Sequence, residues 1–107
     1  MDVQDWLNNY RKKTIKIESA EFWDKKDAEI EQMEKELAIF ELAIDSLSSK
    51  WADLLIDHYF HKLSYAYISQ AHRCSKSTAY NRVKSAEKEL TELIDYSCNN
   101  FQESRLN

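Results

Sequence analysis

Residues 58–86, HYFHKLSYAYISQAHRCSKSTAYNRVKSA, decide how this chain is read. The segment runs twenty-nine residues without an Asp or Glu, yet holds Lys62, Arg73, Lys76, Arg82, Lys84 and all three histidines of a chain with net charge -4. Ser64 and Ser75 stand where helix N-caps belong, because a serine hydroxyl accepts a bond from an otherwise unpaired amide of a first helical turn. The pattern predicts a short helix from Ser64 through Ala71, a tight turn, and a long helix from Ser75 through Ile94 and as far as Phe101. Short helix, turn and long helix, charged positively, make up the helix-turn-helix arrangement, whose second helix enters a DNA major groove.

Within the long helix, Ala79, Val83, Ala86, Leu90 and Leu93 recur at spacings of 4, 3, 4 and 3 and are expected in the core. The two alanines allow close approach of a neighbouring helix. At 100° per residue the opposite side carries Ser77, Asn81, Lys84 and Lys88, flanked by Tyr80 and Ser85. Asn pairs bidentately with adenine, Lys donates to guanine O6 and N7, and Ser or Tyr donates to a base edge or a phosphate. Lys76, Ser77, Tyr80, Asn81 and Lys84 are therefore the candidate base-reading residues. Lys62, Ser64, Tyr65, Arg73, Ser75, Arg82 and Lys88, at helix starts, in the turn or flanking the reading face, are the candidate phosphate contacts. Ile68, Ala71 and Cys74 are read as core between the two helices, and one of Tyr65 and Tyr67 is expected to pack.

Gly and Pro are both absent, so hairpins of the Asn-Gly kind have no residues to use and an all-α fold of about five helices is expected. With 107 residues, 43% hydrophobic content and three tryptophans, the chain has enough apolar surface for one compact unit. Two parts are expected: a helical packing or assembly arm over 1–47, and a DNA-binding domain with a C-terminal helix over 48–107. In the arm, Asp2 caps a helix with Val3, Trp6, Leu7 and Tyr10 on its apolar face and Arg11, Lys12, Lys13 and Lys16 at its far end. A second helix is expected from near Ser19 to about Asp45. Its apolar residues Ile30, Met33, Leu37, Phe40, Ile44 and Leu47 form a heptad seam of nearly three repeats.

The residues beside that seam, Glu29, Glu36, Glu34 and Glu41, would face like charges in a self-paired coiled coil. Packing within the chain, with the basic end of the first helix as one partner, is the favoured reading. A third helix, capped by Ser48 or Ser49, carries Trp51, Leu54, Leu55, Tyr59 and Phe60.

Charge is partitioned along the chain. Residues 18–47 hold ten acidic groups against three basic, whereas 48–90 hold seven basic against four acidic. The acidic helix over 19–47 is a candidate face for RNA polymerase or another basic protein, since DNA would repel it. Double-stranded DNA is the expected partner of the second half, and a homo-oligomer fits two-fold operators. No apolar run approaches the roughly 20 residues that span a bilayer, so no membrane partner is expected. Cys74 and Cys98, without a signal-peptide pattern ahead of them, are expected as reduced thiols of a cytoplasmic protein. His58, His61, His72 and Cys74 lack the paired spacing of zinc sites, and no Gly-rich phosphate loop is possible, so neither metal, cofactor nor enzymatic activity is expected.

Residues 47–90 resemble region 4 of sigma factors and, more closely, the ArpU and RinA type of phage transcription regulators. The shared elements are a leading helix ending in Tyr59-Phe60, then Leu63-Ser64-Tyr65, Ile68, the helix opening Ser75-Lys76-Ser77-Thr78-Ala79-Tyr80, and Lys84 and Ala86 beyond it. The resemblance implies a small helical regulator of late phage genes, acting in the cytoplasm of a bacterial host. Arg73 departs from it, standing where relatives carry Gly in the turn. A left-handed conformation there costs a side-chain-bearing residue roughly 1–2 kcal/mol. Either the turn differs or Arg73 is kept for a phosphate. The rival readings are a protein-interaction module and a DNA-binding subunit like that of a phage small terminase.

Overall fold

In the computed structural model five helices follow one another, α1 (Val3–Phe22), α2 (Ala28–Asp45), α3 (Ser49–Tyr59), α4 (Tyr65–Ala71) and α5 (Lys76–Leu106). The structure describes the backbone of residues 1–106 and the side chains of 1–48 and 51–99. No strand occurs among the described residues, and the fold is all-α. No helix among them is long and apolar enough to cross a membrane.

Side-chain caps set most of the helix starts. Asp2 accepts the Asp5 amide at 3.1 Å, Asp27 the Ile30 amide at 2.9 Å, Ser64 the Tyr67 amide at 3.2 Å and Ser75 the Thr78 amide at 3.0 Å. Each satisfies one amide that has no partner within its helix. Ser48 is the N-cap residue of α3 but makes no such bond through its side chain. Its backbone amide instead donates to Glu89 of α5 at 2.8 Å, which ties the start of α3 to the long helix.

The second helix does not begin at Ser19, as its sequence pattern suggests. Ser19–Phe22 complete α1, and the chain then turns through Trp23–Asp27. The turn closes with the Asp24 amide on the Glu21 carbonyl and the Lys25 amide on the Ala20 carbonyl, while Asp24 takes the left-handed φ of 53°. That is a helix end of the Schellman kind with Asp in the place of Gly. Asp27 then restarts the chain as α2.

Among the described residues, thirteen from all five helices and Leu47 from the α2–α3 connection form one core cluster. Every helix packs against α5, whose Ala79, Val83 and Leu90 are fully buried and whose Ala86 and Ile94 are nearly so. Leu93, expected in this stripe, is only partly buried; the accumulated turn of a straight helix brings Ile94 inward in its place. Ala71, expected between α4 and α5, is exposed, while Ile68 is fully buried and Cys74 partly so.

The heptad seam of α2 packs within the chain. Phe40 is fully buried against Trp6, with ring centroids 5.6 Å apart, and against Tyr10 at 5.7 Å. All four flanking glutamates have partners in the chain: Glu36 accepts the Trp6 indole N–H at 2.9 Å and Glu41 the Tyr10 hydroxyl at 3.0 Å. Glu29 pairs with Lys16 at 3.1 Å and Glu34 with Lys26 at 2.9 Å. The basic end of α1 contributes only Lys16 to this, because Lys13 turns back to Asp5 at 2.7 Å.

Truncating the seam at its centre tests this packing. Phe40→Ala should lower the free energy of unfolding by about 3–5 kcal/mol, because the cavity opens between α1, α2 and the rest of the core. Leu42→Ala, on the same helix but 62% exposed, should change it by no more than about 0.5 kcal/mol. Urea unfolding of both variants checks the contrast, and equal losses would refute the packing.

Candidate nucleic-acid interface

Ser64 opens α4 and Ser75 opens α5, so the four-residue connection at 72–75 sets how the two helices meet. It is closed by the Arg73 amide on the Gln70 carbonyl at 3.3 Å and the Cys74 amide on the Ser69 carbonyl at 2.9 Å. Arg73 sits at φ 54°, so the left-handed residue expected of a glycine turn is present here with a full side chain. The turn is left-handed at a residue with a Cβ and carries the strain that this costs.

With Ala79 and Val83 facing the core, the opposite side of α5 is exposed. Lys76, Ser77, Tyr80 and Asn81 line one shallow groove together with Tyr65 of α4, and no carboxylate lines it. Tyr65 is the tyrosine that packs: its ring stacks on His58 at 4.2 Å and meets Tyr80 edge-on at 5.4 Å, while Tyr67 is 57% exposed. Burial first raises the Tyr65 hydroxyl above its ordinary pKa. Ser64 and Ser75 are exposed at the openings of their helices with their oxygens engaged as caps, and the Ser75 hydroxyl donates to Thr78 at 2.8 Å.

The remaining candidates lie elsewhere. Lys84 is one turn beyond Tyr80, over whose ring its ammonium sits at 5.4 Å, and it pairs with Glu87 at 3.3 Å. Partial burial works against the Lys84 charge, but Glu87 outweighs it and holds the ammonium above the usual lysine pKa. Glu87 also accepts the buried Tyr59 hydroxyl, which in turn accepts from Gln4 at 3.1 Å; burial and then Glu87 raise the Tyr59 pKa. Lys84 and Lys88 line a second crevice against the first residues of α1, where Asp2, Glu87 and Asp95 also lie. Arg82 points sideways, its guanidinium 4.6 Å from the centre of the Trp51 ring. Lys62, with φ 58°, lies at the α3–α4 corner near α1. The structure thus gathers Tyr65, Lys76, Ser77, Tyr80 and Asn81, places Lys84 beside Tyr80 but paired with Glu87, and gives Lys62, Arg82 and Lys88 other surroundings.

Two positioning residues were not legible in the sequence. His58 carries Tyr65 on its ring, with Nδ1 3.0 Å from the Leu63 carbonyl. Asp57, the last acid before the acid-free run, holds His61 at 3.0 Å and His72 at 3.2 Å, tying the end of α3 to the α4–α5 connection. The His58–Tyr65 and Asp57–His72 contacts join different elements, which no periodicity relates, whereas Asp57 and His61 stand at i, i+4. Among the described residues, no cluster of three or more His, Cys, Asp or Glu side chains is placed to hold a metal ion.

The strain at the connection has a direct consequence. Arg73→Gly should stabilise the fold by about 1 kcal/mol, since glycine adopts a left-handed φ without a Cβ penalty. Thermal unfolding of the variant measures it; a lowered midpoint would show that the arginine side chain supplies more than its backbone loses. Comparison with protein-family models, with curated proteins and with solved structures finds no match for this chain.

Proposed function

We propose that α4 and α5 act as a helix-turn-helix that binds duplex DNA sequence-specifically, with α5 as the reading helix in the major groove, and that the chain is a transcription regulator of the ArpU and RinA kind, phage-encoded. The observation that carries this reading is the carboxylate-free groove in which Lys76, Ser77, Tyr80 and Asn81 of α5 stand exposed beside Tyr65. These side chains supply amide, ammonium and hydroxyl groups to base edges from consecutive turns of one helix. Arg73 in the connection and Lys62 at the α3–α4 corner are exposed, as phosphate contacts require. Lys84 enters this scheme by exchanging Glu87 for a base or phosphate.

A second reading, in which α2 meets a basic protein such as RNA polymerase, draws on the exposed Leu42 in its acidic outer face. It is the weaker of the two. Glu29 and Glu34 are already paired with Lys16 and Lys26, which leaves α2 less net charge to offer, and Glu36 and Glu41 are engaged by the Trp6 and Tyr10 donors.

A salt titration of binding to random duplex and to DNA surrounding the gene separates the readings. Steep salt dependence with tighter binding to the native region supports the regulator, and absence of binding at low salt would overturn it. Asn81→Ala should weaken the specific complex roughly 5- to 150-fold and barely alter the nonspecific one, from about 1–3 kcal/mol per bidentate base contact. Lys62→Ala should weaken both alike. Glu87→Gln, which keeps an acceptor for Tyr59 but releases Lys84, should tighten binding to random duplex by roughly 1.5- to 5-fold, as expected from removing an exposed ion pair.

A further inference from the structure

We propose that α1 carries a second phosphate-binding surface, in which Arg11 and Lys12, with Lys62 beside them, hold the sugar-phosphate backbone of the duplex that α5 reads; this rests on the DNA reading above. The site is a groove of about 550 Å3 between α1 and the α3–α4 corner. Arg11, Lys12, His61 and Lys62 line it together with asparagines and aromatic rings, and no carboxylate does. Asn8, Arg11, Lys12 and Ile15 fall at i, i+3, i+4 and i+7, so the cations share one exposed stripe of the helix.

Two features of the fold set this stripe against the corner. Helix α1 kinks at Asn9, whose φ of -125° and ψ of 17° leave the helical region. At that kink the Lys62 ammonium lies 3.5 Å from the Asn8 carbonyl, which draws the left-handed corner onto α1. Lys62 in this groove stands three residues before Tyr65 in the reading groove, so no more than about 11 Å of chain separates the two linings at this corner. A helix lying in a major groove about 12 Å wide has phosphates along its flank, and a cationic surface next to it is positioned to meet them.

Charge sorting along α1 gives the independent support. Its other lysines are neutralised, Lys13 by Asp5 at 2.7 Å and Lys16 by Glu29 at 3.1 Å. Among the described residues, neither Arg11, Lys12 nor Lys62 has a carboxylate partner. The cations left without an acid are the ones that line the groove.

Binding of the full chain to random duplex, measured across a salt series, tests this with Arg11→Gln/Lys12→Gln beside wild type and Lys13→Gln. Each phosphate contact adds about 0.9 to the slope of log affinity against log salt, so the double variant should lose about 2 from it. Between 50 and 200 mM salt its affinity should then fall about tenfold less than that of wild type. Lys13→Gln should keep the wild-type slope, and the preference for specific over random DNA should be the same in all three. Both changed residues are exposed, and an unchanged thermal midpoint confirms that the fold is intact. A wild-type slope in the double variant, with DNA still bound, would overturn this surface and leave the reading helix standing. Loss of self-association without a change of slope would give the groove to the acidic α2 of a second copy and likewise overturn it. If wild type binds no DNA at low salt, the DNA reading itself fails.

Discussion

The buried stripe of α5, Ala79, Val83, Ala86, Leu90 and Ile94, is the constraint on which the other elements depend. Every other helix packs against α5, and the two alanines keep its axis near its neighbours. Because a helix has only one orientation once its apolar face is committed, burying Ala79 and Val83 turns Ser77 and Asn81 outward without any further interaction. The core therefore aims the candidate reading face. The face needs few contacts of its own beyond the Tyr65–Tyr80 pair and the His58 ring behind it.

Helix type and core membership were legible in the sequence because they rest on local rules. Ser64 and Ser75 cap the helices their positions announced, and Trp6, Leu7, Phe40, Leu54, Leu55, Ile68 and Val83 went to the core that their spacing implies. The sequence pattern places the break between α1 and α2 near Ser19 rather than at Trp23–Asp27, because that segment contains neither Gly nor Pro, the residues that usually mark a turn. A signal was present in Asp27, an N-cap residue with Glu29 and Glu31 in the turn that follows. Of the candidate site, the face formed by Lys76, Ser77, Tyr80 and Asn81 was legible, since one helix carries it. The Glu87 partner of Lys84 and the Trp51 partner of Arg82 were not singled out, although Glu87 stands only three residues from Lys84. Spacing says which residues share a face of a helix, but not which of two available partners a long side chain takes.

Partnering also sorts the cations in a way that net charge conceals. Lys13, Lys16, Lys26 and Lys84 each meet a carboxylate, and three of these four lie in α1 or just before α2, where acidic groups are dense. Such exposed pairs add little stability, typically under about 1 kcal/mol each, so their main effect is on the field the molecule presents. They neutralise Lys13, Lys16 and Lys26 and leave cations without an acid at Arg11 and Lys12 of α1, around α4 and at the opening of α5. A chain of net charge -4 can thus present a locally positive surface without any excess of basic residues overall.

The absence of glycine makes the corners of the fold informative. Three residues with side chains, Asp24, Lys62 and Arg73, adopt a positive φ where glycine would serve at no steric cost. Asp24 is the least strained choice, because Asp tolerates the left-handed region through local hydrogen bonding. Lys and Arg have no such compensation, and they occupy the two ends of α4, one at each corner of the two-helix unit. Strain of roughly 1–2 kcal/mol at each position is a sizeable fraction of the 5–15 kcal/mol that stabilises a typical domain. Residues held in such conformations persist where the surrounding structure fixes them, and they gather at functional sites. Both of these side chains are exposed, and neither has a carboxylate among the described residues to offset its strain. Inside the chain the strain is offset by the hydrogen bonds that close each corner, the Arg73 and Cys74 amides on the Gln70 and Ser69 carbonyls at one end of α4 and the Leu63 amide on the Asp57 carbonyl at the other, and these hold both cations outward.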